Sequence, residues 1–264
     1  MDHDEIRERV EEYEKLNYRF DGELNGVGIS FAVVNNMSLY RVNTLLTKEP
    51  ETIEWMLALK PNDILFDVGA NIGLFTVVAA RVSGATVYAF EPESQNYALL
   101  HKNIFLNGIH ERVSAFCAAV TDKFGMEKLY LSNFSIAGSC HQFGHQVDYN
   151  LAPVSGMFGQ GCVGIGLDAA VAAGMLPVPT HIKIDVDGFE HKVLAGAKKI
   201  LRDRKLKSLI IEVNFHIPQH VGMLRDLEKA GFTYSRAQME ESNIGRRVDD
   251  PRFNKFYNII FTRA

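Results

Sequence analysis

The sequence predicts an α/β fold: a doubly wound, mostly parallel sheet with helices on both faces, an antiparallel edge hairpin and N-terminal additions. Three observations carry this. From about residue 61 onward, apolar runs of strand length alternate with helical patterns. The runs end on residues suited to ligand chemistry: Asp67 with Gly69, Glu91, Asp185-Val186-Asp187-Gly188, and Glu212-Val213-Asn214. The length, 264 residues with 47% hydrophobic and 23% charged, suits one large domain with a substantial core. Residues 1–60 read as accessory helices and strands packed on a core of residues 61–264, a single domain overall.

In the N-terminal part, residues 3–16 form a surface helix, with Ile6, Val10, Tyr13 and Leu16 at helical spacing among charges. It reads as a packed accessory helix, with a lid or dimer element as the alternative. Two β-like runs follow, Val27–Val34 and Leu39–Val42, joined by a turn at Asn35-Asn36. Glu49 to Leu59 reads as a helix stopped before Pro61.

The core begins with a strand at Ile64–Val68 and a helix from Ile72 to Val82. A strand at Thr86–Phe90 ends on Glu91, and a helix from Ser94 to Leu106 stops near Gly108. A third strand covers Val113–Val120, and Met126–Leu131 adds another. Residues 132–166, rich in Gly, Ser and Phe and carrying His141 and His145, break the pattern. They read as an irregular excursion over the mouth of the site, carrying part of the substrate pocket, or as a surface insertion. The alternation resumes with a helix at Asp168–Ala173, a strand at His181–Val186 and a helix at Phe189–Leu201. A strand at Leu209–Val213 and a helix at Val221–Ala230, stopped by Gly231, follow. The runs Phe232–Tyr234 and Phe256–Phe261 close the sheet as an edge hairpin.

Composition narrows the function classes. Net charge is −4 with no dense Lys/Arg block, so no nucleic-acid partner is expected. No apolar run reaches the roughly 18–20 residues of a membrane span. The charged start (Asp2, Asp4, Glu5, Arg7) is no secretory segment. Cys117, Cys140 and Cys162 are odd in number and widely spaced, which suggests neither a disulfide framework nor a zinc site. A cytoplasmic location is the expectation, and oligomeric state stays open.

The stretch Asp67-Val-Gly-Ala-Asn-Ile-Gly73 is a turn between a buried strand and a helix, where open α/β sheets bind nucleotides. Its glycines permit tight angles and close approach, and the helix N-terminus offers N–H groups to an anion such as a carboxylate. The acidic residue ending the strand repels a pyrophosphate but suits a cation or hydroxyls. S-adenosylmethionine fits, having a sulfonium, an ammonium and a carboxylate but no phosphate. Glu91, about 24 residues on, can accept hydrogen bonds from both ribose hydroxyls.

These residues resemble the FkbM-like methyltransferases. The resemblance rests on Asp67 through Thr76, Ala89-Phe90-Glu91-Pro92, and Ala118 through Asp122. It continues in Ile182-Lys183-Ile184-Asp185-Val186-Asp187-Gly188-Phe189-Glu190, Val193 through Ala197, and Ile210 through Asn214. It covers residues 60–215 in order. It departs at Asp187, where the family usually has Glu, and at Cys117, where it often has Asn.

The resemblance implies a class I, Rossmann-like fold, S-adenosylmethionine as methyl donor, and O-methylation of a hydroxyl on a sugar, glycan or secondary metabolite. Asp67, Gly69, Ala70, Asn71 and Gly73 would hold the donor's amino-acid part, Glu91 beside Pro92 the ribose, and Ala119 the adenine. Asp185 is the first candidate at the reacting end, to orient the donor or take a proton. Asp187 and His216 are the other candidate bases. Asp185, Glu212 and Asn214 resemble an oxygen-ligand set for Mg²⁺, but a site without metal is the preferred reading. The rivals are a NAD-dependent oxidoreductase, whose Gly-x-Gly-x-x-Gly turn is absent, a non-catalytic S-adenosylmethionine-binding protein, and a protein or RNA methyltransferase.

Overall fold

The computed structural model describes residues 2–242, 250 and 253–263. Helix α1 (His3–Lys15) is capped by the Asp2 side chain, but none of its residues is buried. Its apolar stripe faces solvent: Ile6 and Val10 are each 48% exposed and Tyr13 is 73% exposed. The expected packing of this helix is therefore not found.

Strands β1 (Arg19–Leu24) and β2 (Val27–Ala32) form an antiparallel hairpin. Its turn is Asn25-Gly26, both at positive φ (52° and 78°), the geometry a tight two-residue hairpin demands. The expected turn at Asn35-Asn36 is instead a helix start. Asn35 and Ser38 form a reciprocal capping box, so Leu39–Val42 lies in helix α2 (Asn36–Asn43), not in a strand. Helix α3 (Pro50–Leu57) follows. Beyond α1 this region is well packed. Phe31, Val42, Ile53 and Met56 join Leu65, Val77 and Val87 in one apolar cluster, and Asn103 and Asn107 hold the β2 amides of Ala32 and Ser30.

The core contains β3 (Ile64–Val68), α4 (Leu74–Val77) running into a π-helical turn at Val78–Val82, β4 (Thr86–Phe90), α5 (Ser94–Leu106) and β5 (Val113–Phe116). The expected strand Val113–Val120 breaks at Cys117-Ala118. Its end, β6 (Ala119–Val120), joins a second, four-stranded sheet with β7 (Gly125–Leu131), β8 (Gln142–Phe143) and β9 (Phe158–Ile165). The 132–166 excursion is thus only partly irregular. Its 8-residue β9 pairs with β7 along the full length of β7.

Helix α6 (Leu167–Ala172), strand β10 (His181–Ile184) and helix α7 (Glu190–Ala195) follow. The helix expected to reach Leu201 stops at Gly196. A side chain there would lie 2.1 Å from the Thr121 carbonyl, and the Asp168 carboxylate caps the next turn through the Lys199 and Ile200 amides. Then come β11 (Ser208–Asn214), α8 (Pro218–Lys229), β12 (Phe232–Tyr234), α9 (Arg236–Glu241) and β13 (Phe256–Arg263).

The main sheet has the order β12-β13-β11-β10-β3-β4-β5. Strands β11, β10, β3, β4 and β5 are parallel, while β13 pairs antiparallel with both β11 and β12, forming the expected edge. The chain starts at β3, builds outward to β5, then returns to β10 on the other side. This reversal opens a crevice at the carboxyl ends of β3 and β10. Among the described residues, no helix is long and apolar enough to cross a membrane.

Candidate active site

The turn after β3 explains its own spacing. Gly69, Asn71 and Gly73 all take positive φ, at 79°, 49° and 83°. A Cβ on Gly69 would sit 1.8 Å from the Asp185 carbonyl, so glycine is what lets β3 and β10 meet here. The amides are consumed within the site. Gly69 and Ala70 donate to the Phe90 carbonyl and Gly73 to that of Ala70. Asn71 donates to Glu91 Oε2 at 2.8 Å and Ile72 to the Asn71 side chain. The amides from Gly69 to Gly73 are therefore not free for an anion, which leaves the first amides of the helix itself, Leu74 to Thr76, as the ones that can receive it.

A cavity opens beside this turn, lined by Gly69, Asn71, Glu91, Pro92, Asp185 and Asp187, with Arg41, Asn96, His141 and Glu212 among the others. A second shares Gly69, Pro92, His141 and Val186 with it, so the two adjoin. Its walls are mostly apolar: Phe90, Ala119, Val120, Leu129, Phe143 and Phe189. The second sheet supplies Ala119, Leu129 and Phe143, which is why sequence periodicity in the core could not find this slot. Cys117 is exposed and outside it.

Of the expected residues, Gly69, Asn71, Glu91, Pro92, Ala119, Asp185 and Asp187 line the two cavities. Ala70 and Gly73 are part of the turn but absent from the lining; a Cβ on Gly73 would meet Leu100 at 2.3 Å. Asp67 is fully buried behind the turn, where its Oδ2 accepts from the Thr76 hydroxyl at 2.6 Å. His216 is exposed, bonds Asn254 at 3.3 Å and is likewise absent from the lining, so the structure does not bring this candidate base to the site.

Lys183, missed as a site residue, is the hub beneath the turn. Its Nζ lies 3.5 Å from Asp67 and 3.6 Å from Asp185. Burial alone would lower its pKa, but the two carboxylates outweigh burial and hold it above the usual lysine range. A lysine in an otherwise apolar buried strand, followed by Asp185, was the available signal.

Burial pushes Glu91 up to about 7, against the pull of the Glu93 and Asn71 amides. Burial, and then the neighbouring Asp185, push Asp187 up to about 6. Asp187 sits at φ 56°, and its Oδ2 accepts from the Cys140 amide at 2.6 Å. It does not cap the next helix, whose N-cap Phe189 has no side-chain bond.

Oxygens of Asp185, Asp187 and Glu212 come within 4.8 Å of one another. Asn214, expected in an oxygen-ligand set, turns away to the Tyr149 carbonyl and Asn150. A strap at residues 133–141 covers the cleft. Its Gly138 carbonyl accepts from Asn71 and Asn96, and the Ala137 amide donates to Asn96. His141, on this strap, keeps a buried Nε2 with no partner where the two cavities join.

This crevice at the switch point of a parallel sheet, with an acidic residue ending the second core strand, has the architecture of a class I S-adenosylmethionine-dependent methyltransferase. The chain belongs to the FkbM methyltransferase domain family, which matches residues 67–234. It is 25% identical over 231 residues to hexuronic acid methyltransferase AglP of Haloferax volcanii, covering 86% of this chain and 89% of that one. It is 29% identical over 191 residues to 31-O-demethyl-FK506 methyltransferase FkbM of Streptomyces tacrolimicus, covering 63% and 72%. The crystal structure of methyltransferase FkbM from Methylobacillus flagellatus superposes with a TM-score of 0.50 at 15% identity, over 87% of this chain and 56% of that one.

Proposed function

We propose that the protein transfers the methyl group of S-adenosylmethionine to a hydroxyl of a sugar, glycan or secondary metabolite. One observation carries this reading: the cleft changes character along its length, from an apolar slot, through buried Glu91, to the close carboxylates of Asp185, Asp187 and Glu212. Carboxylates accept hydrogen bonds from hydroxyls, so the last part suits a polyhydroxyl acceptor. The names of the two curated relatives support an oxygen acceptor, one naming a hexuronic acid and the other a 31-O-demethyl substrate.

The residues present fit the donor. The slot between Phe143 and Phe189 matches a flat apolar base, the partnerless His141 Nε2 offers a hydrogen bond beside it, and Glu91 suits ribose hydroxyls. Gly69, Asn71 and Pro92 line the middle, while Asp67 acts from behind by fixing Lys183. Bound there, S-adenosylmethionine supplies an electrophilic methyl group on a leaving thioether that needs no proton. The chain then has to align the acceptor oxygen and take its proton. Asp185, tied to Lys183, orients the hydroxyl. Asp187, poised at about 6, takes the proton near neutrality. Its Oδ2 is held by the Cys140 amide at 2.6 Å and its Oδ1 only by the weakly donating Cys140 thiol at 3.7 Å, so Oδ1 is the accepting oxygen. No metal is needed for this scheme. The free thiols of Cys117, Cys140 and Cys162 suit a reducing cytoplasm.

Calorimetric titration with S-adenosylmethionine and, separately, NAD, with and without Mg²⁺, tests the donor. Micromolar donor binding is expected, weakened about tenfold or more in Glu91→Ala by loss of the charge-assisted bonds. Methyl transfer to hexoses, uronic acids and hydroxylated metabolites then tests the acceptor. Folded protein that binds no donor overturns the reading, and binding of NAD alone makes it an oxidoreductase.

A further inference from the structure

The amides from Gly69 to Gly73 all have partners, and the helix residues that follow them, Leu74 to Thr76, do not line the larger cavity. Yet a carboxylate is present on the donor's amino-acid end, and on any uronic-acid type of acceptor. The cations lining the larger cavity are Arg41 and Lys48, and Lys48 is engaged with Glu49 at 2.8 Å.

Arg41 differs. It lies on α2, outside the family-matched residues, and is half-buried. Its Nε donates to the Ala137 carbonyl at 2.7 Å and its Nη2 to that of Gly138 at 3.5 Å. Both acceptors are neutral, and among the described residues Arg41 forms no ion pair. A guanidinium has five N–H donors, so most of the fork is unspent. The two carbonyl bonds hold the plane of that fork in the cavity wall. Arg41 also lines a neighbouring hollow with Tyr40, Leu74 and Phe75, so it stands where the two spaces meet. A fixed, half-buried guanidinium bonded only to neutral groups is the setting for bidentate recognition of a carboxylate.

We infer that Arg41 is the carboxylate receptor of this cleft, supplied by the N-terminal segment rather than by the glycine turn. The inference rests on the reading of the cleft as the site of methyl transfer. The carboxylate has two sources, the donor's amino-acid end or an acidic sugar, and matched ligand pairs separate them.

The test measures binding to the unaltered protein, Arg41→Gln and Arg41→Lys. One pair is S-adenosylhomocysteine and its decarboxylated amine analogue. The other, with the first site filled, is glucuronate and glucose. The expected result is a loss of about tenfold or more in Arg41→Gln for the carboxylate-bearing member of one pair, with its partner unchanged and Arg41→Lys in between. Selective loss in the first pair assigns the donor's carboxylate; selective loss in the second assigns the acceptor's. Unchanged binding of the carboxylate-free member shows that the cleft is still folded. Equal behaviour of both members in both pairs overturns the inference and leaves the methyltransferase reading standing. Failure of the unaltered protein to bind S-adenosylhomocysteine overturns both.

Discussion

From Gly69 to Gly73, one wall of the cleft bonds almost entirely to itself and to the adjacent strand end, whereas the opposite wall, the strap at residues 133–141, is pinned by distant side chains. Asn35 reaches the Ile136 carbonyl, Arg41 that of Ala137, and Asn71 and Asn96 that of Gly138, while Asp187 accepts from Cys140. The first wall is held by backbone bonds at the end of the parallel sheet. The second is a set of side-chain bonds between separate elements, each worth about 0.5–1.5 kcal/mol net, so it can be loosened piecemeal. The comparison teaches that the glycine-turn wall is built by the main sheet and the covering wall by its accessories.

Breaking the first wall should give the largest effect. Gly69→Ala forces a Cβ onto the Asp185 carbonyl at a positive φ. It should cost about 3 kcal/mol or more, seen as a drop in the urea midpoint or as insoluble protein. Near-normal stability would mean that the two strand ends can separate.

Asp187 belongs to both walls, and Asp187→Asn should act oppositely on activity and stability. Methyl transfer should fall about 100-fold with the loss of the base. As a carboxyl raised from 3.8 to about 6, Asp187 holds a proton in the folded state that the unfolded chain releases. Stability therefore declines as pH rises from about 4 to 6, and at pH 8 the whole penalty is present. Asparagine removes it and tolerates the positive φ. The ligand-free variant should be more stable at pH 8 by about 3 kcal/mol and equal to the parent below pH 4. Urea melts across pH check the sign, and the same pH dependence in variant and parent would show that the Asp187 carboxyl titrates alike in the folded and unfolded chain.

The strap should yield to a smaller cut. Asn96→Ala removes the buried amide that bonds Ala137 and Gly138. It should cost about 1–3 kcal/mol and raise amide exchange across residues 133–141 while leaving the glycine turn protected. Equal exchange in both walls would erase the distinction between them. His216→Ala should do least, with unchanged turnover and stability within about 0.5 kcal/mol, since the ring is exposed and outside the cavity lining.

Where local rules act, the sequence was readable. Ile64–Val68, Thr86–Phe90 and Ser94–Leu106 match the structure residue for residue. Each is a self-contained run bounded by Gly, Pro or polar residues. Leu39–Val42 failed because a capping box outweighs the β-like character of four residues, and Asn25-Gly26, the stronger turn signal, lies ten positions earlier. The helix after Phe189 was overextended because Gly196 stops it through contact with Thr121, a neighbour invisible in the local pattern. Helix α1 carries a clear amphipathic stripe, but periodicity states which face is apolar and not whether a partner covers it.

By itself the sequence determined the alternation of strands and helices and which residues stand at the strand ends, because hydrophobic period and turn chemistry act over a few residues. Gly69, Asn71, Glu91, Asp185 and Asp187 could be named on that basis alone. Only the tertiary structure decided what faces them: the slot walls Leu129 and Phe143, the buried Lys183 linking Asp67 to Asp185, and Arg41 at the edge of the cavity. Those choices depend on packing between elements far apart in the chain, such as the bond from Arg41 to Ala137 across 96 positions. No local period encodes a contact of that span, since its geometry exists only once the sheet has set the two segments side by side.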